Sequence, residues 1–403
     1  MEIQELYAIA RRIEAEQEKS FEAVCQQVFD YAELGSEEFK SSKYLTEQLK
    51  ALGFTVTMPY GGLETAFRAE YGSGHPKVAF LAEYDALPGY GPNKDQNGHA
   101  CGHNWIAANT FGACAVLAAM KEHFQGTIVY MGCPAEEMLG GKVNMVDNGC
   151  FADIDAAMQI HICGGSRTRL ASQALAIDSI EFTYRGKASH AASTPENGIN
   201  ALDACYLTFD GVNALRQHVR QESRIHGIIV DGGEAPNVVP PYAKSRWMVR
   251  ATEREYLTGL TEKVINCARG ACLMTGAALE WRYYENSYDD MLLQPFLIGR
   301  FKECLEEAGV TNITPNPSGY DGSTDVGNVS HACPTVMCNM AVGNTDGSDC
   351  HDEPFLEYCT GPMGFAALHK AILGQVFLSL QIFTDPALQA ELAKAKEKLS
   401  ASK

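Results

Sequence analysis

Apolar residues recur along this chain in two rhythms. Residues 77–81 form a short apolar run, residues 104–123 carry apolar positions at 107, 111, 114 and 118, and residues 126–132 form a second strand-like run. That succession of strand, helix and strand is the unit from which parallel sheets are built. Residues 156–162 and, far downstream, 335–342 read as two further strands of the same kind. In an open parallel sheet, ligands bind beyond the carboxyl ends of the strands, so residues just after these runs are able to converge.

The middle of the chain has a different period. Ile180, Phe182 and Tyr184 alternate as in a strand; residues 195–221 read as helical, 225–230 and 243–251 as strands, 253–276 as a helix and 277–285 as a strand. The order βαββαβ is that of a ferredoxin-like α+β unit, compact enough to be inserted into another domain. The expected fold is therefore α/β, a mostly parallel sheet flanked by helices in residues 1–176 and 290–403, with an inserted domain over residues 177–289. The apolar stretch 371–383, interrupted by Gly374, Gln375, Ser379 and Gln381, is too short to span a bilayer and reads as a buried helix. The Lys- and Ala-rich residues 387–403 read as a solvated helix end.

Composition narrows the function. A chain of 403 residues with 46% apolar and 20% charged residues is an ordinary globular protein, long enough for two domains. With 32 Lys+Arg against 50 Asp+Glu, the formal charge of −18 repels phosphate backbones and anionic lipid, which argues against nucleic acid and membrane partners. The first thirty residues carry charges at helical spacing and no apolar signal-like core, so the expectation is a cytoplasmic protein. Its 14 cysteines then read as reduced thiols, most of them small core residues such as Cys114.

The candidate chemistry lies at the predicted strand ends. GHACGHN sets Cys101 and His103 two apart, just before a helix whose N-terminal amides favour a thiolate, and both side chains are good ligands for zinc-like ions. The bland alternative is a loop with a chance Cys and His, and His99 in the same loop reads as structural. GCPAEEM places Glu136 and Glu137 at a strand end before Gly140 and Gly141. Adjacent residues there point in different directions, so one carboxylate is able to coordinate a metal while its neighbour acts as general base on a water. Solvation is the commoner fate of such a pair, but this one follows an apolar strand. His161 lies within an apolar strand, as a ligand or a satisfied core histidine. His351, in the loop DGSDCHDEPF, has the same ambiguity. Together these positions supply five ligand-type side chains and one further carboxylate, a set that two metals sharing a bridging ligand would use fully.

The wording and order of LAEYDALPGYG, GHACGHN, PAEE, QIHI, GKASHAASTPENGINAL, APNVVP and HDEPF resemble the M20 metallopeptidase family over nearly the whole chain. The Cys in HACGH followed by PAEE is similar to its amidohydrolase branch, and EYDALPG with the Asn of HACGHN is similar to the aminobenzoyl-glutamate hydrolase side. The resemblance implies a zinc-exopeptidase-like catalytic domain with the insertion as a lid or dimerisation domain. It implies two divalent ions, zinc first, with manganese or cobalt as alternatives. Cys101 would bridge them, Glu137 and His351 would complete one site, and His103 and His161 the other. Glu136 would be the general base and Asp85 the residue orienting a ligand. His190 of a partner subunit would donate to the developing oxyanion, and Asn237 and Arg250 would hold the substrate carboxylate. GYDGSTDVGNVSH resembles a Gly-rich substrate loop in which Ser323, Thr324 and Asp325 have no assigned role.

The expected function is hydrolysis of the amide bond between an acyl, aminobenzoyl or aminoacyl group and an amino acid with a free carboxylate, so the substrate is a small N-acyl amino acid or dipeptide and the enzyme a homodimer. The alternatives are a dipeptidase or aminopeptidase that requires a free amine, and a silent metal-binding subunit of a paired hydrolase.

Overall fold

The computed structural model describes residues 1–171, 173–314 and 322–401. The chain forms two compact units, one of Met1–Gln173, Met291–Asp321 and Asp325–Lys403, the other of Ala174–Asp290 with Gly322–Thr324. In chain order the first unit contributes α1 (Ile3–Tyr31), α2 (Phe39–Ala51), β1 (Thr55–Thr57), β2 (Phe67–Ser73), β3 (Lys77–Ala82), a small hairpin of β4 (Leu87–Pro88) and β5 (Asn97–Gly98), α3 (His103–Ala119), β6 (Gly126–Gly132), α4 (Gly141–Asp147), β7 (Ala156–Cys163) and β8 (Thr168–Leu170). The second unit follows with β9 (Ala176–Arg185), α5 (Ala201–Leu215), β10 (Arg224–Asp231), β11 (Tyr242–Ala251), α6 (Arg254–Thr275) and β12 (Ala278–Tyr283). The chain returns to the first unit as α7 (Pro295–Glu307), β13 (Ile313–Thr314), α8 (Val326–Ala332), β14 (Thr335–Ala341), α9 (Leu356–Cys359), α10 (Gly361–Thr384) and α11 (Pro386–Ala401).

Among the described residues the first unit's sheet has eight strands in the order β1-β2-β6-β3-β7-β14-β8-β13. Its centre, β6-β3-β7-β14, is parallel and nearly continuous in apolar residues, as strands covered on both faces must be. These four strands are the runs legible in the sequence. The antiparallel additions, β2 on β6 and β8 on β14, make the sheet mixed. Helix α3 is buried from His103 to Leu117 and packs on α1 and α10. Helix α10 is long and apolar enough to cross a membrane, but 72% of its most apolar window is buried within the protein.

The second unit is a four-stranded antiparallel sheet, β10-β11-β9-β12, with α5 and α6 packed on one face over Ile180, Phe182, Tyr184, Trp247 and Val249. This is the ferredoxin-like arrangement.

Two sequence expectations need correction. The predicted helix 195–221 is a single 3-10 turn at Pro195–Asn197, a break at Gly198, and α5, because the Asn200 side chain accepts from the Leu202 and Asp203 amides and caps the helix there. The C-terminal helix α11 is not merely solvated: Leu388, Leu392 and Leu399 share a face and are buried.

Candidate metal centre and active site

Four parallel strands aim their carboxyl ends at one place. Glu83 and Asp85 follow β3, Glu136 and Glu137 follow β6, His161 lies near the end of β7, and His351 lies in the loop after β14. Cys101 and His103 arrive from the start of α3. Gly102 between them has φ +75°, and a Cβ there would lie 2.2 Å from Ile162 Cγ2, so only glycine lets this turn press against β7.

The structure brings all five ligand-type residues together. Cys101, His103 and His161 each offer a donor atom within 4.8 Å of the others, and so do Cys101, Glu137 and His351. Cys101 belongs to both groups, with its Sγ 3.6 Å from His161 Nε2. His351 Nε2 lies 3.1 Å and His103 Nε2 3.9 Å from Glu137 Oε1. Outer partners aim the rings: Asp85 Oδ1 is 2.7 Å from His103 Nδ1, and the Ile162 carbonyl oxygen is 2.6 Å from His161 Nδ1. With each Nδ1 donating, each Nε2 presents its lone pair inward, the tautomer a metal ligand needs. Asp85 Oδ2 also accepts the Glu137 amide at 3.0 Å, so one carboxylate orients two of the five. His351 itself sits at φ +71°, a left-handed conformation costly for a residue with a Cβ.

These residues fit a pair of divalent cations. Two buried atoms that face each other at 3.5 Å, Glu83 Oε2 and His103 Nε2, have no hydrogen-bond partner among the described residues, a costly arrangement unless something between them accepts their lone pairs. Thiolate, imidazole and carboxylate together are a borderline-soft set suited to zinc. The electrostatics agree. Burial would lower the His103 pKa, but Asp85 and Glu83 drive it well up, and the hydrogen bond to Glu137 draws His351 up as well. The carboxylates thus demand positive charge here. Burial and the crowding of Glu83, Asp325 and Glu137 push the Glu136 carboxyl well above its ordinary range.

Sequence reading missed several residues that shape this site. Cys350, beside His351, has its thiol 3.4 Å from the Ile162 carbonyl, and it hydrogen-bonds to Cys101, which together with His161 draws its pKa down. Glu38 is fully buried, accepts the Ala135 amide at 2.8 Å and the Thr65 hydroxyl at 2.7 Å, and so anchors the loop that carries Glu136; burial, then the nearby Asp85, raise it to about 7. Glu83, Gln159 and Lys142 form a buried polar floor with Asp325, whose carboxylate accepts from Lys142. Asp325 is therefore buried, with both carboxylate oxygens bonded to Lys142. The EYDALP wording hinted at Glu83, but nothing local distinguishes Lys142 from a solvated lysine.

The second unit holds the remaining candidates. His190 and Val238 form an isolated bridge, and Ala191 donates to the Asn237 carbonyl at 3.0 Å, so His190 and Asn237 are neighbours on an exposed edge. The Ala192 and Ser193 amides both donate to His190 Nδ1 at 3.2 Å, which leaves the neutral ring's proton on Nε2, pointing away from its own loop. Arg250 lies on β11 as expected and is partly buried: Nη1 donates to Ser323 Oγ at 3.1 Å, and Nε is buried without a partner among the described residues. From Tyr242, near the His190 edge, to Arg250 is eight residues of strand at ~3.3 Å each, roughly 26 Å. The structure does not bring Arg250 to His190 and Asn237 within one chain. Gly319, Tyr320 and Asp321 of the Gly-rich loop lie outside the described residues.

Comparison with known proteins gives a consistent set of relatives. The model of peptidase family M20/M25/M40 matches residues 79–373. The chain is 34% identical over 383 residues, 91% of its own length and 86% of the other's, to the mouse (Mus musculus) Xaa-Arg dipeptidase. It is 36% identical over 298 residues, 70% of its length and 61% of the other's, to one of the subunits of the p-aminobenzoyl-glutamate hydrolase from Escherichia coli K12. Among solved structures, a Bacillus subtilis protein described as a dinuclear metal-binding peptidase of the M20 family matches with a TM-score of 0.68 at 18% identity, covering 91% of this chain and 99% of that one, a likeness of fold.

Proposed function

The chain belongs to peptidase family M20/M25/M40, and on that premise we propose that this hydrolase cleaves the amide bond between an acyl, aminobenzoyl or aminoacyl group and an amino acid with a free carboxylate, using two divalent ions. One observation carries the reading: Cys101 is common to both donor groups, so a thiolate there is able to touch two ions at once. Ions of this kind polarise the scissile carbonyl and lower the pKa of a water beside them. Zinc suits the donor set, and manganese or cobalt fit as well.

The chain's own residues do the rest. Glu136, whose carboxylate lies within 4.8 Å of His103 and Glu137 donor atoms, takes the water's proton and returns it to the leaving amine. Asp85 keeps His103 and Glu137 in register. The Nε2–H of His190 is a ready donor to the developing oxyanion. The guanidinium of Arg250, whose Nε has no partner among the described residues, suits a substrate carboxylate. The separation of Arg250 from His190 and Asn237 along β11 supports a homodimer in which the two sets serve a site from different chains.

A second reading, a dipeptidase that needs a free amine, is favoured by the likeness to Xaa-Arg dipeptidase over most of the chain. The test offers zinc- or manganese-reconstituted protein p-aminobenzoyl-glutamate, N-acetyl and N-benzoyl amino acids, and free dipeptides ending in Arg. Cleavage of the N-blocked compounds supports the first reading, and cleavage of free dipeptides alone supports the second. A fully metallated protein that cleaves none of them overturns both.

A further inference from the structure

Lys142 is fully buried, and the reaction outlined above gives it no task. It lies in the first turn of α4, directly after the loop that carries Glu136 and Glu137. That loop is closed tightly: the Leu139 and Gly140 amides both donate to the Ala135 carbonyl, and a Cβ on Gly141 would strike the Pro134 carbonyl oxygen at 2.0 Å. The Lys142 side chain runs back beneath it. Its ammonium bonds Glu83 Oε1 and, at 2.6 Å, Asp325 Oδ1, while its own amide donates to Asp325 Oδ2 at 2.9 Å. Gln159 Nε2 donates to the same Glu83 oxygen at 2.8 Å. The other Glu83 oxygen has no hydrogen bond among the described residues and lies 3.5 Å from His103 Nε2.

Glu136 links this floor to the site. Its carboxylate shares a 4.8 Å neighbourhood with those of Glu83 and Asp325 on one side, and with the donor atoms of His103 and Glu137 on the other. Three carboxylates this close repel one another, and Lys142 is the buried cation among them. As a way of filling a core this is costly: a well-packed apolar set usually serves stability as well as a buried ion network or better, so stability alone does not account for it. What the network does supply is direction, because both oxygens of Asp325 and one of Glu83 are committed to fixed donors.

We propose that Lys142 is a positioning residue for hydrolysis: by pinning Glu83 and Asp325, it fixes the carboxylate of Glu136 against the metal-ligand group. The inference rests on the role given to Glu136 above. Lys142 bonds none of the five ligand-type residues; it acts through its two partners.

The test uses Lys142→Met and the charge-balanced Lys142→Met/Asp325→Asn. In the second, the amide oxygen of residue 325 still accepts the residue 142 amide, so the double variant keeps the fold where the single one strands a buried carboxylate. Zinc content, thermal melting, kcat and KM are measured with p-aminobenzoyl-glutamate, or with alanyl-arginine if wild type cleaves that instead. The double variant is expected to hold the wild-type zinc content and a KM within about threefold, while kcat falls about a hundredfold, the scale on which a misplaced catalytic group costs rate. A wild-type kcat in the double variant overturns the inference, because Lys142 would then only neutralise Asp325. Loss of zinc in parallel with kcat also overturns it, since the floor would then support the ligands and not the base. Glu136→Ala is run alongside. If Glu136→Ala is active, the reading of the site itself fails; if it is inactive while the double variant turns over normally, only the Lys142 inference fails.

Discussion

At the scale of single residues, the candidate site is a set of side chains whose burial makes sense only together. His103 and Glu83 would each be a liability alone, since among the described residues their facing atoms, Nε2 and Oε2, lack hydrogen bonds. Asp85 is the sharpest point at which to test this. Asp85→Asn keeps the shape but offers His103 Nδ1 an uncharged partner, and metal affinity is expected to fall by about 10- to 100-fold, read by competition with a chelating dye. Glu136→Ala is expected to keep both ions and lose about 10²- to 10⁴-fold in kcat, checked by metal analysis beside turnover. Five of the ligand-type residues were legible because Cys, His and paired Glu at strand ends are unusual types in unusual places. Glu38, Glu83 and Lys142 were not, because a charged residue looks the same in sequence whether it is solvated or buried, and only a partner from a distant segment makes burial tolerable.

At the scale of elements, position along the sheet turns pattern into chemistry. The continuous apolar runs of β3, β6, β7 and β14 specify a parallel core buried on both faces, which puts the following loops side by side. In the second unit the sheet's two faces are separable by experiment. On the helix face, Asp178 is 1% exposed and held by two Arg254 nitrogens and the Thr261 hydroxyl, so Asp178→Ala takes an acceptor from a half-buried guanidinium and a buried hydroxyl; we expect a loss of about 1–3 kcal/mol in denaturant unfolding of that unit. On the open face, Glu181 is bonded by Arg246 and Arg282 with Lys244 nearby. Burial would raise its pKa, but these cations bring it to about 2. A carboxylate depressed in the folded state stabilises it above the unfolded pKa near 4.5, and that contribution is lost as pH falls from there toward 2. The melting temperature of Glu181→Gln should therefore fall less than wild type between pH 5 and pH 3; parallel curves would refute the assignment.

At the scale of the whole molecule, the proposed homodimer makes a direct prediction. Glu136→Ala and His190→Ala proteins, each inactive alone, should regain activity when mixed and allowed to exchange chains. The recovery should approach about a quarter of wild type, because half the dimers are mixed and each holds one intact site. No recovery, with exchange demonstrated by size and mass, would show that each chain uses its own His190. Sequence by itself determined the class of fold, the strands of the central sheet and the residue types able to bind metal, because these depend on local periodicity and on chemistry that a short motif carries. Only the tertiary structure decided that Cys101 stands in two donor groups, that Asp85 serves two ligands, and that Lys142 lies beneath Glu136. Those facts depend on distances between segments tens to hundreds of residues apart, and no local pattern encodes a distance that packing alone creates.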